Sequence, residues 1–193
     1  MSTLDYYNHN AEQFYDSTVK VAMESIYAPF LRYLPEHGSI LDLGCGSGRD
    51  TLAFLQKAYQ VEAIDYSESL VKKAQELTGL PVRHQSFYEL DEENKYDGVW
   101  ACASLLHCER QKLPEVLSRI LRTLKAGGVL YMSFKYGSTD REKDGRNFTD
   151  LNEQQAHELV REVPGFLLLQ QWITVDQRPD RAEEWLNILL RKV

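Results

Sequence analysis

Apolar residues recur at three- and four-residue spacing near the start of the chain: Phe14, Tyr15, Thr18, Val19, Ala22, Met23, Ile26, Tyr27, Phe30 and Leu31. That period marks one face of an α-helix. It predicts a helical cap over residues 1–35, kinked or interrupted at Pro29 and ended by Pro35-Glu36-His37-Gly38. The aromatic segment Tyr6-Tyr7-Asn8-His9-Asn10 precedes the first predicted helix. After residue 38 short apolar runs alternate with amphipathic stretches. Strands are expected at 39–43, 61–65, 82–85, 96–103 and 129–134, with helices at 49–58, from Ser67 to Gly79, and at 113–124. Ser67 is a suitable N-cap, and Gly79 ahead of Pro81 a suitable stop. Alternation of this kind predicts a parallel sheet with helices on both faces.

The pattern changes again in the last third. Residues 137–148 are polar and charged and read as a loop. A helix is expected over 151–163, with Asp150 and Glu153 placed as a capping box. Two strands, 166–175 and 185–191, follow, joined by a polar loop over 176–181. No repeat, linker or low-complexity stretch divides the 193 residues, so one domain is expected.

Composition narrows the class. With 43% hydrophobic and 26% charged residues the chain reads as a globular protein that builds a real core. No apolar run approaches the roughly 18 residues of a membrane span. The start Met-Ser-Thr-Leu-Asp-Tyr-Tyr lacks the marks of a signal peptide, so a cytoplasmic protein is expected. The three cysteines, Cys45, Cys102 and Cys108, have no metal-ligand spacing and are expected to be reduced, with no metal bound. The net charge of −7 argues against nucleic acid as partner, although a local basic patch would be compatible with RNA.

The chemistry concentrates at Ile40-Leu41-Asp42-Leu43-Gly44-Cys45-Gly46-Ser47-Gly48-Arg49-Asp50. A buried strand ends in three glycines at alternate positions, and a helix begins. Glycine permits positive φ and lets a ligand approach the backbone, while the helix start offers free N–H groups. A dinucleotide fingerprint reads G-x-G-x-x-G; here the third glycine comes one place early and Arg49 stands in its position. Asp65 closes the second strand, 21 residues after Gly44, where a carboxylate can accept both hydroxyls of a ribose. Tyr66 follows, and its ring can lie against a base.

These residues resemble the class I S-adenosylmethionine-dependent methyltransferases. Residues 41–48 match that family's first motif, Asp65 its acidic second-strand end, Tyr96-Asp97-Gly98-Val99-Trp100 its fourth strand, and Leu124-Lys125-Ala126-Gly127-Gly128 its turn into the fifth, with Ala126 in place of proline. The resemblance implies a Rossmann-like, seven-stranded, mostly parallel sheet with helices on both faces and a terminal antiparallel strand. The overall plan resembles that of the compact tellurite-resistance methyltransferases. S-adenosylmethionine is the implied cofactor and S-adenosylhomocysteine its product.

The resemblance and the residues together distribute roles, and related folds close a segment like 6–10 over the cofactor, where an aromatic near the sulfonium gains cation–π attraction. Asp42, Gly44, Cys45, Gly46, Gly48, Asp65 and Tyr66 are the implied cofactor residues of the first two strands. Ser86 stands where the family commonly has an acid for the adenine amino group, with Phe87 beside it as a pocket wall. Ala103 leaves room at the end of the fourth strand, and His107 is the candidate catalytic base. Tyr6, Lys135, Arg141 and Arg146 are the candidate substrate residues, with 136–150 as a substrate loop flanked by Tyr136 and Phe148. The expected reaction is in-line methyl transfer to a small molecule, by a monomer or homodimer. The alternatives are an RNA (tRNA) methyltransferase, using Lys135, Arg141, Lys143, Arg146, Arg178 and Arg181 on phosphates, or a non-catalytic nucleotide-binding protein.

Overall fold

A computed structural model describes residues 2–178 and 181–193; Pro179 and Asp180 of the predicted 176–181 loop lie outside the described residues. Seven strands form one sheet: β1 (Ser39–Leu43), β2 (Gln60–Asp65), β3 (Arg83–His84), β4 (Tyr96–Ala101), β5 (Leu124–Lys135), β8 (Phe166–Val175) and β9 (Glu184–Lys192). Their order is β3-β2-β1-β4-β5-β9-β8. The first five run parallel; β9 pairs antiparallel with β5 and β8 antiparallel with β9. The sheet is the expected one. The strand order reverses between β1 and β4, the switch point at which open α/β sheets place their ligands.

Side chains alternate across the strands, and the two faces bury different partners. Leu41, Leu43, Val99, Leu130 and Met132 share one buried cluster with α6 (Leu113–Thr123) and α7 (Glu153–Glu162). Ile40, Trp100, Val129 and Tyr131 share the other with α3 (Glu24–Leu31) and α4 (Arg49–Gln56). The remaining helix, α5 (Glu68–Thr78), starts on the Ser67 cap and stops at Gly79 in the left-handed conformation.

Several local expectations need correction. The N-terminal stripe is three helices, α1 (Thr3–His9), α2 (Ala11–Thr18) and α3. Its breaks fall at Asn10 and between α2 and α3, while Pro29 lies inside α3. Tyr6 and Tyr7 are thus helical rather than ahead of a helix. The "loop" at 137–148 contains a hairpin, β6 (Asp140–Lys143) with β7 (Arg146–Thr149). Its turn residues Asp144 and Gly145 have φ of 53° and 77°, as a type I′ turn demands. α7 is capped by Asn152, whose side chain accepts from Gln155 N–H, with Gln155 completing the box; Asp150 is instead bonded to Arg141. The 124–128 turn is counted within β5, whose register against β4 shifts between Tyr96 and Gly98.

Candidate active site

β1 ends at Leu43 and the chain turns at once. Gly44, Gly46 and Gly48 take φ of 79°, 54° and 83°, a region open chiefly to glycine. A Cβ at Gly44 would lie 2.4 Å from Ser104 Cβ, and one at Gly46 would lie 3.0 Å from Phe14 Cε1. The N–H groups of Gly44 and Cys45 both donate to the Ile64 carbonyl at 2.9 Å, which fastens the turn to the end of β2. Asp65 completes the fastening by accepting from Gly46 N–H and Ser67 N–H, each at 2.8 Å. Burial pushes its pKa up against the pull of the surrounding N–H groups. Each carboxylate oxygen still has a lone pair to offer a ligand.

The turn opens on a cavity of about 630 Å³, a size typical of small-molecule sites. Gly44, Cys45, Gly46, Asp65, Tyr66, Ser86, Phe87, Ala103, His107, Tyr6, Lys135, Arg141 and Arg146 all line it. Asp42 and Gly48 do not. Asp42 lies behind the turn, 2% exposed, and accepts from the Thr51 hydroxyl at 2.5 Å. Gly48 is the N-cap of α4 and backs onto α5, where a Cβ would come 3.0 Å from Ala74 Cα. Tyr136 also points away, its hydroxyl bonded to Glu153. Among the described residues no group of three His, Cys, Asp or Glu is placed to hold a metal. All three cysteines are free thiols.

The remaining wall residues have local duties. Tyr66 is 53% exposed and stacks on His84. Ser86 accepts from Tyr88 N–H and so caps the short 3₁₀ turn Phe87–Glu89. Ala103, at φ 52°, donates its N–H to Ser133 Oγ at 2.8 Å. Ser104 Oγ, beside Gly44, is buried and has no hydrogen-bond partner.

A buried charge network underlies the turn. Arg49 Nε and Nη2 pair with Asp50 at 2.6 and 3.0 Å, and Asp50 also accepts from Tyr27 O–H at 2.6 Å and Trp100 Nε1–H at 2.8 Å. Burial pushes both Asp42 and Asp50 up; Arg49 overcomes this at Asp50, which stays charged, and Asp50's charge then adds to the rise at Asp42.

His107 joins three parts of the chain. Its Nδ1 lies 2.7 Å from the Asn147 carbonyl on β7, and its Nε2 lies 2.8 Å from the Tyr7 hydroxyl on α1. A carbonyl only accepts, so Nδ1 carries the proton and Nε2 accepts from Tyr7. Burial lowers the imidazole pKa to about 4 and raises that of Tyr7 to about 12. Thr3 Oγ1 accepts from Asn147 N–H, and Ser67 Oγ donates to Asn8 Oδ1. The N-terminal helices are therefore laced over the cavity mouth. Tyr7 was not among the predicted site residues: its partner lies 100 positions away, and no local spacing announces the pair.

The basic residues that sequence grouped as a phosphate-facing patch, Lys135, Arg141, Lys143, Arg146, Arg178 and Arg181, all line this same cavity. Lys135 is 8% exposed, 3.4 Å from Glu183 and 3.7 Å from Asp176, with its ammonium 4.1 Å above the Trp185 ring. Burial lowers its pKa despite those carboxylates.

Comparison with known proteins matches this geometry. A methyltransferase-domain family profile covers residues 40–128, from β1 through the start of β5. Over these residues the chain is similar to the methyltransferase-domain family. It is 32% identical over 113 residues to the putative methyltransferase YqeM of Bacillus subtilis (strain 168), covering 53% of this chain and 46% of that protein. It is 29% identical over 112 residues to phosphoethanolamine N-methyltransferase 1 of Triticum aestivum, covering 53% of this chain and 22% of that protein. The chain thus spans less than half the length of these two relatives. Among solved structures, the 1,6-didemethyltoxoflavin-N1-methyltransferase of Burkholderia thailandensis, with bound 1,6-didemethyltoxoflavin and S-adenosylhomocysteine, aligns with a TM-score of 0.78 at 24% identity, covering 98% of this chain and 85% of that one.

Proposed function

We propose that the protein is a methyltransferase, which binds S-adenosylmethionine at the glycine turn and transfers its methyl group to a small molecule. The observation that carries the reading is the cradle itself. Gly44 and Gly46 hold the turn at positive φ, packed against Ser104 and Phe14 on the cavity wall, Asp65 sits at its rim, and the buried Ser104 hydroxyl lacks a partner. An unpaired buried polar atom costs free energy unless a ligand satisfies it. Asp65 is placed for the ribose hydroxyls, Tyr66, Ser86 and Phe87 for the adenine, and Ala103 and Ser104 for the methionine end. When bound, the cofactor supplies a methyl group already activated on a sulfonium.

What remains for the protein is alignment. Holding donor and acceptor in line can supply on the order of 7–11 kcal/mol. Phe14 packs edge-on to Tyr7, with ring centroids 5.3 Å apart, over Gly46, and aromatic faces there favour a cationic sulfur. His107, with its pKa near 4 and Nε2 occupied by Tyr7, is a weak base. Its service is to hold Tyr7, and with it α1, in the closed position. A small-molecule acceptor is favoured over RNA because the six basic residues line one cavity of about 630 Å³, with Lys135 buried and Arg141, Arg146 and Arg178 partly buried in its wall. The named substrates of two relatives, phosphoethanolamine and 1,6-didemethyltoxoflavin, are likewise small.

The test is label transfer from methyl-labelled S-adenosylmethionine, with a panel of small amines, phenols, thiols and carboxylates in parallel with transfer RNA. Transfer to a small molecule, lost in the Asp65→Ala variant, is expected. Transfer to RNA alone would overturn the choice of acceptor.

A further inference from the structure

The β6–β7 hairpin stacks two guanidinium groups against one ring. Arg141 Cζ lies 4.7 Å from the Phe148 centroid and Arg146 Cζ 5.2 Å from it, with Arg146 also 4.0 Å from the Tyr6 centroid. The shared ring is 7% exposed, and the two cations brought to it repel each other, with Arg146 the more buried of the pair. Each has a carboxylate on one edge only: Arg141 Nε donates to Asp150 Oδ2 at 2.5 Å, and Arg146 Nη2 lies 3.3 Å from Asp144 Oδ2. Arg146 Nε is buried and has no acceptor. An orphan donor beside a second guanidinium, both on a cavity wall, is the donor set that suits an oxyanion.

We propose that the methyl acceptor carries a phosphate or carboxylate, and that Arg141 and Arg146 hold this group next to the Tyr7–His107 pair. The proposal rests on the reading of the cavity as a methyl-transfer site and deepens it. A guanidinium presents paired N–H donors to an oxyanion, and aromatic stacking fixes the plane of that fork. Phe148 is the common support, since its ring is also 5.0 Å from the His107 ring. Lys143, also on the cavity wall, adds charge from the same hairpin. The arrangement suits a compact anion and gives no platform for stacking successive bases, as a polynucleotide site does.

The experiment uses the ¹⁵N-labelled full chain. Calorimetry first establishes S-adenosylhomocysteine binding. Inorganic phosphate, acetate and chloride are then titrated at fixed ionic strength into the protein saturated with S-adenosylhomocysteine, following the arginine Nε–H resonances. A saturable shift at Arg146 Nε–H with phosphate or acetate, absent with chloride, is expected, and the tighter of the two oxyanions identifies the acceptor's group. In Arg146→Gln and Arg141→Gln the oxyanion affinity should fall about tenfold or more, as loss of a charged partner does, while S-adenosylhomocysteine affinity stays within about threefold. Arg146→Lys, which keeps charge but loses the fork, should recover only part of the loss. No oxyanion-specific shift, or equal affinity in wild type and variants, would overturn the anion site. A short RNA that binds through the same arginines more tightly than phosphate, with a steep salt slope, would overturn it in favour of a polynucleotide. Failure of S-adenosylhomocysteine itself to bind would count against the methyl-transfer reading, separately from the anion.

Discussion

Asp65 and His107 were both readable as candidates, but their surroundings decide what each can do. Asp65 was legible because its spacing from the glycines is fixed by one strand, one turn and one helix. Its hold on Gly46 N–H links the rim of the cradle to the ligand it is proposed to bind. Asp65→Ala should weaken S-adenosylhomocysteine binding by roughly 2–4 kcal/mol, the cost of removing a buried charged partner; calorimetry on the folded variant reads it directly. His107 was legible only as a residue near the fourth strand's end. Burial lowers its pKa from 6.5 to about 4, so the fold binds fewer protons there than the unfolded chain does. Its contribution to stability is therefore full above the ordinary 6.5 and is lost as the pH falls from 6.5 towards 4. Melting curves across that window should show the wild type losing more stability than His107→Gln. Parallel curves would mean that the imidazole is not held neutral. Asp42 was readable either as a support of the glycine turn or as a ligand contact; its carboxylate is bonded to Thr51 behind the turn, which favours support.

At the scale of elements, apolar periodicity located every strand of the main sheet within a few residues, because each carries a run that must be buried. Elements stabilised by polar contacts were harder to read. The β6–β7 hairpin was expected as a loop since its flanks are charged. Yet Asp144-Gly145 is a strong type I′ turn signal on its own. The cap of α7 was misplaced by two residues for a related reason: Asp150 and Asn152 are both good caps, and only the fold shows that Arg141 has taken Asp150. Asn152→Ala should thus cost about 0.5–2 kcal/mol of stability in a denaturant titration. The same change should leave S-adenosylhomocysteine affinity unaltered. A stability loss in Asp150→Asn as large as that in Asn152→Ala would return the capping role to Asp150. In the glycine turn, Gly46→Val should abolish cofactor binding. It forces a β-branched residue into positive φ and against Phe14 of α2.

Across the whole molecule, one sheet edge gathers the chemistry. The turn after β1, the ends of β2, β4 and β5, the β6–β7 hairpin and the N-terminal helices meet around a single cavity. The sheet and its switch point follow from the alternation of strands and helices, which is why sequence could bring the glycine turn and Asp65 to one cavity. The pairs that fasten the N-terminal segment were not legible, because they join distant parts of the chain, Tyr7 to His107 and Thr3 to Asn147. No helix among the described residues is long and apolar enough to cross a membrane. What the glycine turn binds decides what the protein does. Titration calorimetry of the wild type and Gly46→Val with S-adenosylhomocysteine and with NAD tests it most directly. One saturable site for S-adenosylhomocysteine in the wild type, far tighter than any for NAD and absent from the folded variant, is the result the account predicts. Tighter binding of NAD, or S-adenosylhomocysteine binding that survives Gly46→Val unchanged, would contradict it.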